Sequence, residues 1–280
     1  MSRVDPAPTQ VGFVGVGQMG RPMVDRLVAA GFPVAAFVRR RDVAESLKLA
    51  GVTVVTTISE LARQSDVLII CTFSDEQLAT VAFGDDRGDG ALAVMRPSSV
   101  LVSHVTGNPA LVSDIAARAP AGVEVVDAPV SGTALDIAAG MLTVLVGASE
   151  AAVDMVRPVL ASYADPILHV GVVGDAQRVK LVNNLLFTVH VRVAIEAVAL
   201  GDRMGIDRAL LASALSSCSA SSRALSLLEQ MPAADVVAGA GHYLAKDVNA
   251  IKATAAALGV DLGELGDLAQ WVLPQGEGAE

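Results

Sequence analysis

The sequence has few aromatic residues, few cysteines and a deficit of positive charge. Only 3% of its 280 residues are aromatic although 52% are hydrophobic, so the core must be built mainly from alanine, valine and leucine. Cys71 and Cys218 do not make a disulfide framework, and their apolar surroundings are typical of reduced core thiols. The four histidines show no H-x-x-x-H spacing and no Cys/His cluster, so no metal is expected. The net charge of −10 argues against nucleic acid and anionic membranes as partners, but not against a small anionic substrate.

Hydrophobic segments that would indicate secretion or membrane insertion are also missing. The first ten residues contain no apolar signal core. The longest apolar region, residues 179–200, carries too many polar residues for a lipid-facing span. These are Lys180, Asn183, Asn184, His190, Arg192 and Glu196. We therefore expect a cytoplasmic protein with no membrane partner.

Up to residue 174 the chain alternates short apolar runs with helical patterns. The runs are continuous rather than alternating, which is typical of parallel strands covered on both faces. Repetition of strand and helix predicts a doubly wound α/β sheet, that is, a Rossmann domain over residues 10–174. Strands are predicted at 11–16, 34–38, 52–56, 67–71, 100–103, 123–126, 142–146 and 167–170, and helices include 19–30, 43–50 and 110–117.

From residue 175 to residue 280 the pattern predicts an all-helical domain. The first helix would be about 40 Å long, and it is apolar almost all round, so we expect it to be buried on several sides. A small domain cannot easily cover such a helix, whereas a second copy of the chain can. This favours a homodimer or a larger homo-oligomer. The predicted helices are 176–204, 208–216, 222–230, 244–258 and 262–272.

A glycine-rich loop follows the first predicted strand and opens a helix. The string VGFVGVGQMGRPM places Gly15, Gly17 and Gly20 in the spacing and context of a dinucleotide-binding fingerprint. Gly15 permits a tight turn, Gly17 lets a pyrophosphate approach the backbone, and Gly20 lets helix and strand pack closely. The helix N-terminus favours the anion. The loop, with Gln18 and Met19, is predicted to bind a dinucleotide cofactor; the alternative is a purely structural glycine turn.

The end of the second predicted strand indicates which nucleotide binds. An NAD site usually places an acidic residue there, to bind the ribose diol. The strand runs instead into Arg39, Arg40 and Arg41, and Asp42 is predicted to form a capping box with Glu45 for the next helix. Arg39 and Arg40 are then placed to bind a 2′-phosphate through forked, charge-assisted hydrogen bonds. This favours NADP over NAD; the alternative is a solvated basic turn.

Lys180 and Asn184 stand near the start of the long apolar helix. They are four residues apart, so on a helix they share a face. A lysine and an amide aimed at one spot can transfer a proton and bind an oxygen. Because burying a lysine is costly, spacing alone leaves a solvated helix end as the alternative.

Four strings occur in order along the chain: GFVGVGQMGRPM, DAPVSG (127–132), GDAQRVKLVNN and AKDV (245–248). Together they resemble the β-hydroxyacid dehydrogenase family, which includes 3-hydroxyisobutyrate dehydrogenases and glyoxylate or semialdehyde reductases. The resemblance extends over about residues 11–258. It implies a Rossmann domain, a long interdomain helix and a helical domain that dimerises. It also implies hydride transfer between NADP(H) and a small β-hydroxyacid, or the corresponding semialdehyde or keto acid.

Carried over residue by residue, the resemblance makes Lys180 the general acid/base and Asn184 a group near the substrate's carboxylate and hydroxyl. The cofactor would carry the hydride while the lysine transfers the proton. The other implied site residues are Ser131, Gly132 and neighbouring Thr133 for the substrate carboxylate, Thr106 near the nicotinamide, Lys246 reaching the cofactor, and Thr72 and Phe73 on the adenosine side.

The loop that would bind the substrate departs from the family pattern. Thr133 stands where the family usually has glycine, and Asp136 and Ile137 replace a glycine–alanine pair. Thr133 would narrow the pocket or donate another hydrogen bond, and Asp136 would be strained if the family glycine has a positive φ. Val105 replaces a usual serine, and Gly239 replaces a frequent aromatic residue. These changes surround the substrate, so its identity is the open question.

Two other functions fit the same scaffold. An imine reductase is one, but those enzymes usually replace the catalytic lysine. A non-catalytic nucleotide-binding module is the other, and the presence of both Lys180 and Asn184 argues against it. The leading expectation stays a dehydrogenase with a small carboxylate-bearing substrate.

Overall fold

The computed structural model describes residues 9–86 and 88–272, which divide into two compact units. The first contains the described residues up to Lys180, and the second begins at Leu181. The end of the predicted helical domain, residues 273–280, lies outside the described residues. The predicted boundary after residue 174 stays a prediction.

The first unit is built on a nine-stranded, mostly parallel sheet in the order β11-β10-β8-β7-β4-β1-β2-β3, with β9 paired to β10. Within this sheet β10 pairs antiparallel with β8 and β9, and the other described pairings of the sheet are parallel. Two short strands, β5 and β6, form a separate hairpin. The strands are β1 Val11–Val14, β2 Val34–Phe37, β3 Thr53–Val55, β4 Val67–Ile70, β5 Gly84–Asp85, β6 Gly88–Asp89, β7 Val100–Ser103, β8 Glu124–Asp127, β9 Val130–Ser131, β10 Leu142–Gly147 and β11 Ala164–Gly171.

Helices cover both faces of this sheet and begin at short polar caps. The side chains of Thr57, Ser74, Asn108 and Ser149 each accept a hydrogen bond from a backbone N–H of the helix that follows. The helices are α1 Gly20–Ala29, α2 Arg41–Leu49, α3 Ile58–Gln64, α4 Asp75–Phe83, α5 Pro109–Ala117, α6 Ala134–Ala138 and α7 Glu150–Leu160, followed by α8 Asp175–Arg203, which continues into the second unit.

Burial confirms the two-faced sheet that the continuous apolar runs predict. Along β1, Val11 and Phe13 pack into one core cluster, whereas Val14 packs into the other. All four residues of β1, β4 and β7 are buried. Because successive side chains of a strand point to opposite faces, such a strand must be covered on both sides. The doubly wound Rossmann architecture is confirmed.

The second unit is helical, and one of its helices is longer than the sequence predicts. It contains the rest of α8, then α9 Arg208–Ser216, α10 Arg223–Gln230, α11 Ala233–Leu258, α12 Gly263–Leu268 and a 3₁₀ turn, Gln270–Val272. The prediction that this long helix begins at residue 244 is wrong by about three turns. Gly239 and Gly241 each cost about 1 kcal/mol in a helix relative to alanine, but α11 runs through both.

Helix α8 is only partly covered by this chain. Val182, Val193 and Leu200 are each about half exposed, so a single chain does not bury the helix on all sides. By length and composition α8 could cross a membrane, a test that core helices of water-soluble proteins also pass. The homodimer stays a prediction.

The two cysteines differ in their surroundings. Cys71 packs against the core, as predicted, but Cys218 is exposed, so that part of the prediction is wrong. Helix α9 ends at Ser216, and Cys218 falls in the turn beyond it. The apolar residues before Cys218 belong to the helix, and their pattern does not extend to the turn.

Candidate active site

The glycine loop has the geometry of a ligand cradle. Gly15 has a φ of +95°, and a Cβ there would collide with the carbonyl oxygen of Cys71. A Cβ at Gly20 would collide with the carbonyl oxygen of Gly15, so only glycine lets α1 approach the strand this closely. A Cβ at Gly17 would have nothing within 4 Å. The loop is therefore tightly packed at both ends and open in the middle.

The start of α1 suits an anion. Its N-cap, Met19, makes no side-chain hydrogen bond to the helix, and the first turn contains no acidic residue. The first N–H groups of a helix have no partner within the helix, and they carry partial positive charge. Exposed Gln18 lies between the open Gly17 and this helix start. These features fit the pyrophosphate of the dinucleotide that the sequence predicts.

Two more predicted cofactor residues follow β4. Thr72 has a buried hydroxyl with no hydrogen-bond partner among the described residues. Phe73 is 41% exposed, and its N–H donates to the side chain of Gln77. The adenosine-side role of Thr72 and Phe73 stays a prediction.

The arginines after β2 are not equivalent. Helix α2 begins at Arg41 with Arg40 as N-cap, so Asp42 lies in the first turn and the predicted Asp42–Glu45 capping box is wrong. Glu45 instead pairs with Arg41 at 3.0 Å. The guanidinium of Arg40 pairs with Asp42, and this hydrogen bond lowers the pKa of the Asp42 carboxyl. Arg39 and Arg40 are both exposed, but part of the charge of Arg40 is already compensated.

A buried hydrogen-bond network joins two of the four predicted motifs to the loop that carries Thr106. The Asp127 carboxylate accepts from the N–H groups of Gly174 (3.1 Å) and Gln177 (3.0 Å), and so caps α8. Its other oxygen accepts from Nε2 of Gln177 at 2.7 Å. Nε2 also donates to the carbonyl of Val105 (2.8 Å), while Oε1 accepts from the N–H of Gly107 (3.0 Å). Burial raises the pKa of Asp127 to about 6.

This network encloses the predicted nicotinamide residue. Thr106 lies between Val105 and Gly107, the two residues that Gln177 binds. Lys180 follows Gln177 on α8 by three residues. The loop after β7 and the first turns of α8 are therefore held by the same side chain.

Lys180 and Asn184 are both buried, at 7% and 8% exposure, which rules out the solvated helix end for Lys180. In the second unit the Asn184 amide is fixed from two sides. Its nitrogen donates to Oδ2 of Asp247 at 2.6 Å, and its oxygen accepts from Asn183 at 2.9 Å. Nζ of Lys246 lies 3.0 Å from the other oxygen of Asp247.

Sequence reasoning missed Asp247, which is 6% exposed and bonds to two predicted site residues, Asn184 and Lys246. Its signal was available, because the acidic residue stands directly after Lys246 in the AKDV string. A carboxylate accepts hydrogen bonds only, so Asp247 fixes which end of the Asn184 amide faces it.

The substrate loop differs from its predicted geometry. Ser131 ends β9, opposite Thr143 of β10, and Gly132 has a φ of +144°. Asp136 is not strained at a positive φ; it lies in α6 and forms a capping box with Thr133. Its carboxylate accepts from the N–H and the hydroxyl of Thr133, at 2.7 and 2.8 Å. Both Thr133 donors are thus used inside the loop.

His104, next to the candidate loop, has a structural environment. It is buried, with Nδ1 2.6 Å from the Ala128 carbonyl and Nε2 2.9 Å from the Tyr163 hydroxyl. Burial lowers the pKa of His104 to about 4, so the ring is neutral at physiological pH. A neutral ring with both nitrogens occupied does not suit proton transfer.

The predicted residues of the first unit meet at one edge of the sheet. Strands β2, β1, β4, β7 and β8 are parallel neighbours, so their carboxyl ends share that edge, where open α/β sheets bind ligands. Asn184 and Lys246 belong to the second unit, and within that unit both side chains contact Asp247. The residues at the edge of the first unit are Arg39 and Arg40, the glycine loop, Thr72 and Phe73, Thr106, and Ser131 to Thr133.

Two family models together match most of the chain. Residues 10–173 match the NAD binding domain of 6-phosphogluconate dehydrogenase. Residues 174–276 match a model described as NAD-binding of NADP-dependent 3-hydroxyisobutyrate dehydrogenase.

Individual relatives are dehydrogenases. L-threonate dehydrogenase of Cupriavidus necator is 33% identical over 199 residues, which are 70% of this chain and 66% of that protein. Mitochondrial 3-hydroxyisobutyrate dehydrogenase of Rattus norvegicus is 32% identical over 215 residues, 76% of this chain and 63% of its own length. The chain thus spans slightly less than two thirds of these two relatives. The structure of Mycobacterium tuberculosis 3-hydroxyisobutyrate dehydrogenase with L-serine superimposes with a TM-score of 0.81 at 26% identity, covering 95% of this chain and 92% of that one.

Proposed function

Because the chain belongs to the β-hydroxyacid dehydrogenase family, we propose that it transfers a hydride between NADP(H) and a small β-hydroxyacid, or the corresponding semialdehyde or keto acid. The observation that carries the proposal is the burial of Lys180 on α8, one turn after the carboxylate-capped start of that helix. Fully buried lysines are rare in folded proteins, because taking the ammonium group out of water is costly.

Lys180 is the proposed general acid/base. When a carbonyl is reduced, negative charge develops on its oxygen, and the Lys180 ammonium donates a proton to that oxygen. In the oxidation direction, the unprotonated amine accepts the hydroxyl proton. Bound NADP(H) supplies or accepts the hydride, and the protein contributes position and electrostatics.

Asn184 is the proposed binder of the substrate's oxygen atoms. Asp247 accepts one N–H of the Asn184 amide and leaves the second N–H as a donor of fixed direction. Ser131 and the loop at Gly132 are the proposed site for the substrate's carboxylate, and Thr133 stays a candidate beside them. A small hydroxyacid carries both groups that these residues would recognise.

NADP is the proposed cofactor. Arg39 and Arg40 lie after β2, where the adenosine ribose of a bound dinucleotide is expected, and no acidic residue precedes them there. The match to a family model that names an NADP-dependent dehydrogenase supports this choice. A cytoplasmic location and a homodimer belong to the same proposal.

The test is a hydride-transfer screen over small hydroxyacids and semialdehydes with NADPH and NADH, followed by Lys180→Ala on the best substrate. We expect kcat to fall by about 100- to 10,000-fold, the usual contribution of general acid–base catalysis, with NADPH binding retained. Lys252→Ala, which removes another helix lysine, is the matched control and should leave turnover unchanged. Near-normal turnover of Lys180→Ala would refute the role of Lys180. NADPH binding without any turnover in the screen would indicate the non-catalytic module.

A further inference from the structure

We propose that Gln177 is a positioning residue that fixes the loop carrying Thr106 to the helix carrying Lys180. The proposal rests on the proposed function, in which these two residues contact the nicotinamide and the reacting oxygen. Neither the motif spacing nor the family resemblance assigns Gln177 a role.

The Gln177 side chain binds the loop on both sides of Thr106. Its amide nitrogen donates to the carbonyl of Val105, and its amide oxygen accepts from the N–H of Gly107. The bound groups are the carbonyl of residue 105 and the N–H of residue 107. In a parallel sheet one residue binds the same two groups of its neighbouring strand, so the Gln177 amide pairs with the loop as a strand would. A slip of the loop by one residue would break both bonds.

Asp127 fixes the orientation of that amide. A carboxylate only accepts hydrogen bonds, so the nitrogen of Gln177, not its oxygen, must face Asp127. The other oxygen of Asp127 holds the backbone N–H of Gln177 itself. The amide therefore has one allowed orientation, and that orientation matches the donor and acceptor of the loop.

The same residue also fixes the position of Lys180. Three residues on a helix rise by about 4.5 Å, so Lys180 lies less than one turn from Gln177 along a continuous helix. Gln177 is 2% exposed, and a buried polar group that loses its partners is costly. Movement of the Thr106 loop relative to Lys180 is thus opposed by several buried hydrogen bonds at one side chain.

The first test replaces the amide with a group of similar size that cannot form hydrogen bonds. In Gln177→Leu we expect the backbone N–H of Gly107 to exchange with deuterium about tenfold faster, since its hydrogen bond to the Gln177 side chain is lost. Exchange in residues 15–20 should not change. We expect kcat to fall by about 100-fold, the effect of a small displacement, with KM for NADPH within about threefold of wild type. Gln64→Leu, at the half-buried C-terminal residue of α3 and outside the network, is the matched control.

The second test swaps donor and acceptor. Asp127→Asn alone places an amide nitrogen against the Gln177 nitrogen, and Gln177→Glu alone places two carboxylates together. In the double variant, the amide at position 127 donates to the carboxylate at position 177, which can still accept from the Gly107 N–H, although the Val105 carbonyl loses its donor. We expect the double variant to have a higher kcat than the product of the two single effects predicts. A general loss of stability would not produce this rescue.

The outcomes separate this proposal from the proposed function. If Gln177→Leu exchanges and turns over like Gln64→Leu, or if the double variant shows no rescue of either kcat or exchange, Gln177 is not a positioning residue. If the wild-type chain turns over no hydroxyacid or semialdehyde, the proposed function fails, while exchange at the Gly107 N–H still decides whether Gln177 holds the loop. If Gln177→Leu does not fold, exchange in Gln177→Glu and in the double variant decides the question.

Discussion

Two loops of the first unit each lead from a strand into a helix, but the two helices differ in how their first backbone N–H groups are capped. The glycine loop enters α1 with no side-chain cap and no acid in the first turn. The substrate loop enters α6 with a complete capping box, in which Thr133 and Asp136 bind each other's backbone N–H groups. The start of α1 has no side-chain cap and can accept an anion, whereas the start of α6 is capped by the side chains of Thr133 and Asp136.

The difference concerns what accepts hydrogen bonds from the first backbone N–H groups of a helix. N–H groups at a helix start must find an acceptor, and a ligand can supply it only where the chain does not. The charges follow the same division. Arginines stand after β2 on the nucleotide side, whereas residues 131–140 contain no lysine or arginine and carry Asp136 instead. The loop at β1 thus has cations nearby and no acid of its own at the helix start, whereas the loop at β9 has an acid and no cation.

The largest expected effect comes from placing a carboxylate in the glycine loop, which would make it resemble the substrate loop. In Gly17→Asp the side chain has room, so the free protein should fold normally. The new charge would face the pyrophosphate, and we expect NADPH to bind about 100-fold more weakly, because like charges in contact cost several kcal/mol. Fluorescence titration with NADPH measures this. Gly17→Asn, of the same size without the charge, is the control, and equal losses in both variants would show that bulk rather than charge matters.

A smaller effect should distinguish the two arginines. Arg39→Ala should weaken NADPH binding by about tenfold, the loss of one charge-assisted phosphate contact, and leave NADH binding unchanged. Arg40→Ala should weaken it less, because Asp42 already compensates part of that charge. Binding of both nucleotides by calorimetry tests this. Equal losses for NADPH and NADH would refute a 2′-phosphate site at these residues.

The smallest effect should come from removing the charge of the substrate loop. Asp136→Asn keeps an oxygen that can accept from Thr133 but removes a negative charge beside the proposed carboxylate site. We expect KM for a hydroxyacid to fall by about threefold and kcat to stay the same. Asp136→Ala removes the capping interaction as well and should lower the free energy of unfolding by about 1 kcal/mol, measured by urea titration. An unchanged KM in Asp136→Asn would show that Asp136 does not influence substrate binding.

Much of the fold follows from local pattern. The continuous apolar run around Val11 predicts a strand buried on both faces, and the glycine spacing after it predicts the turn that the structure shows. The spacing of Lys180 and Asn184 predicts a shared helix face. These features depend on neighbours in sequence, so one sequence is enough to predict them.

What sequence reasoning missed depends on distant partners or on a shift of one residue. Asp127 and Gln177 are 50 residues apart, and they meet only because β8 ends beside the start of α8. Asp42 was expected as a cap, but α2 begins one residue before it, so that Asp42 pairs with Arg40. Helix α11 continues through two glycines that disfavour a helix by propensity, so the local pattern placed its start too late.

The contrast between the two cysteines has a practical consequence for spectroscopy. Burial raises the pKa of the Cys71 thiol to about 12, so at neutral pH it holds almost no thiolate, the form that reacts with maleimides. Cys218 is exposed, in the turn after α9. The natural chain should therefore accept one fluorophore or spin label, in its helical unit, without removal of either cysteine.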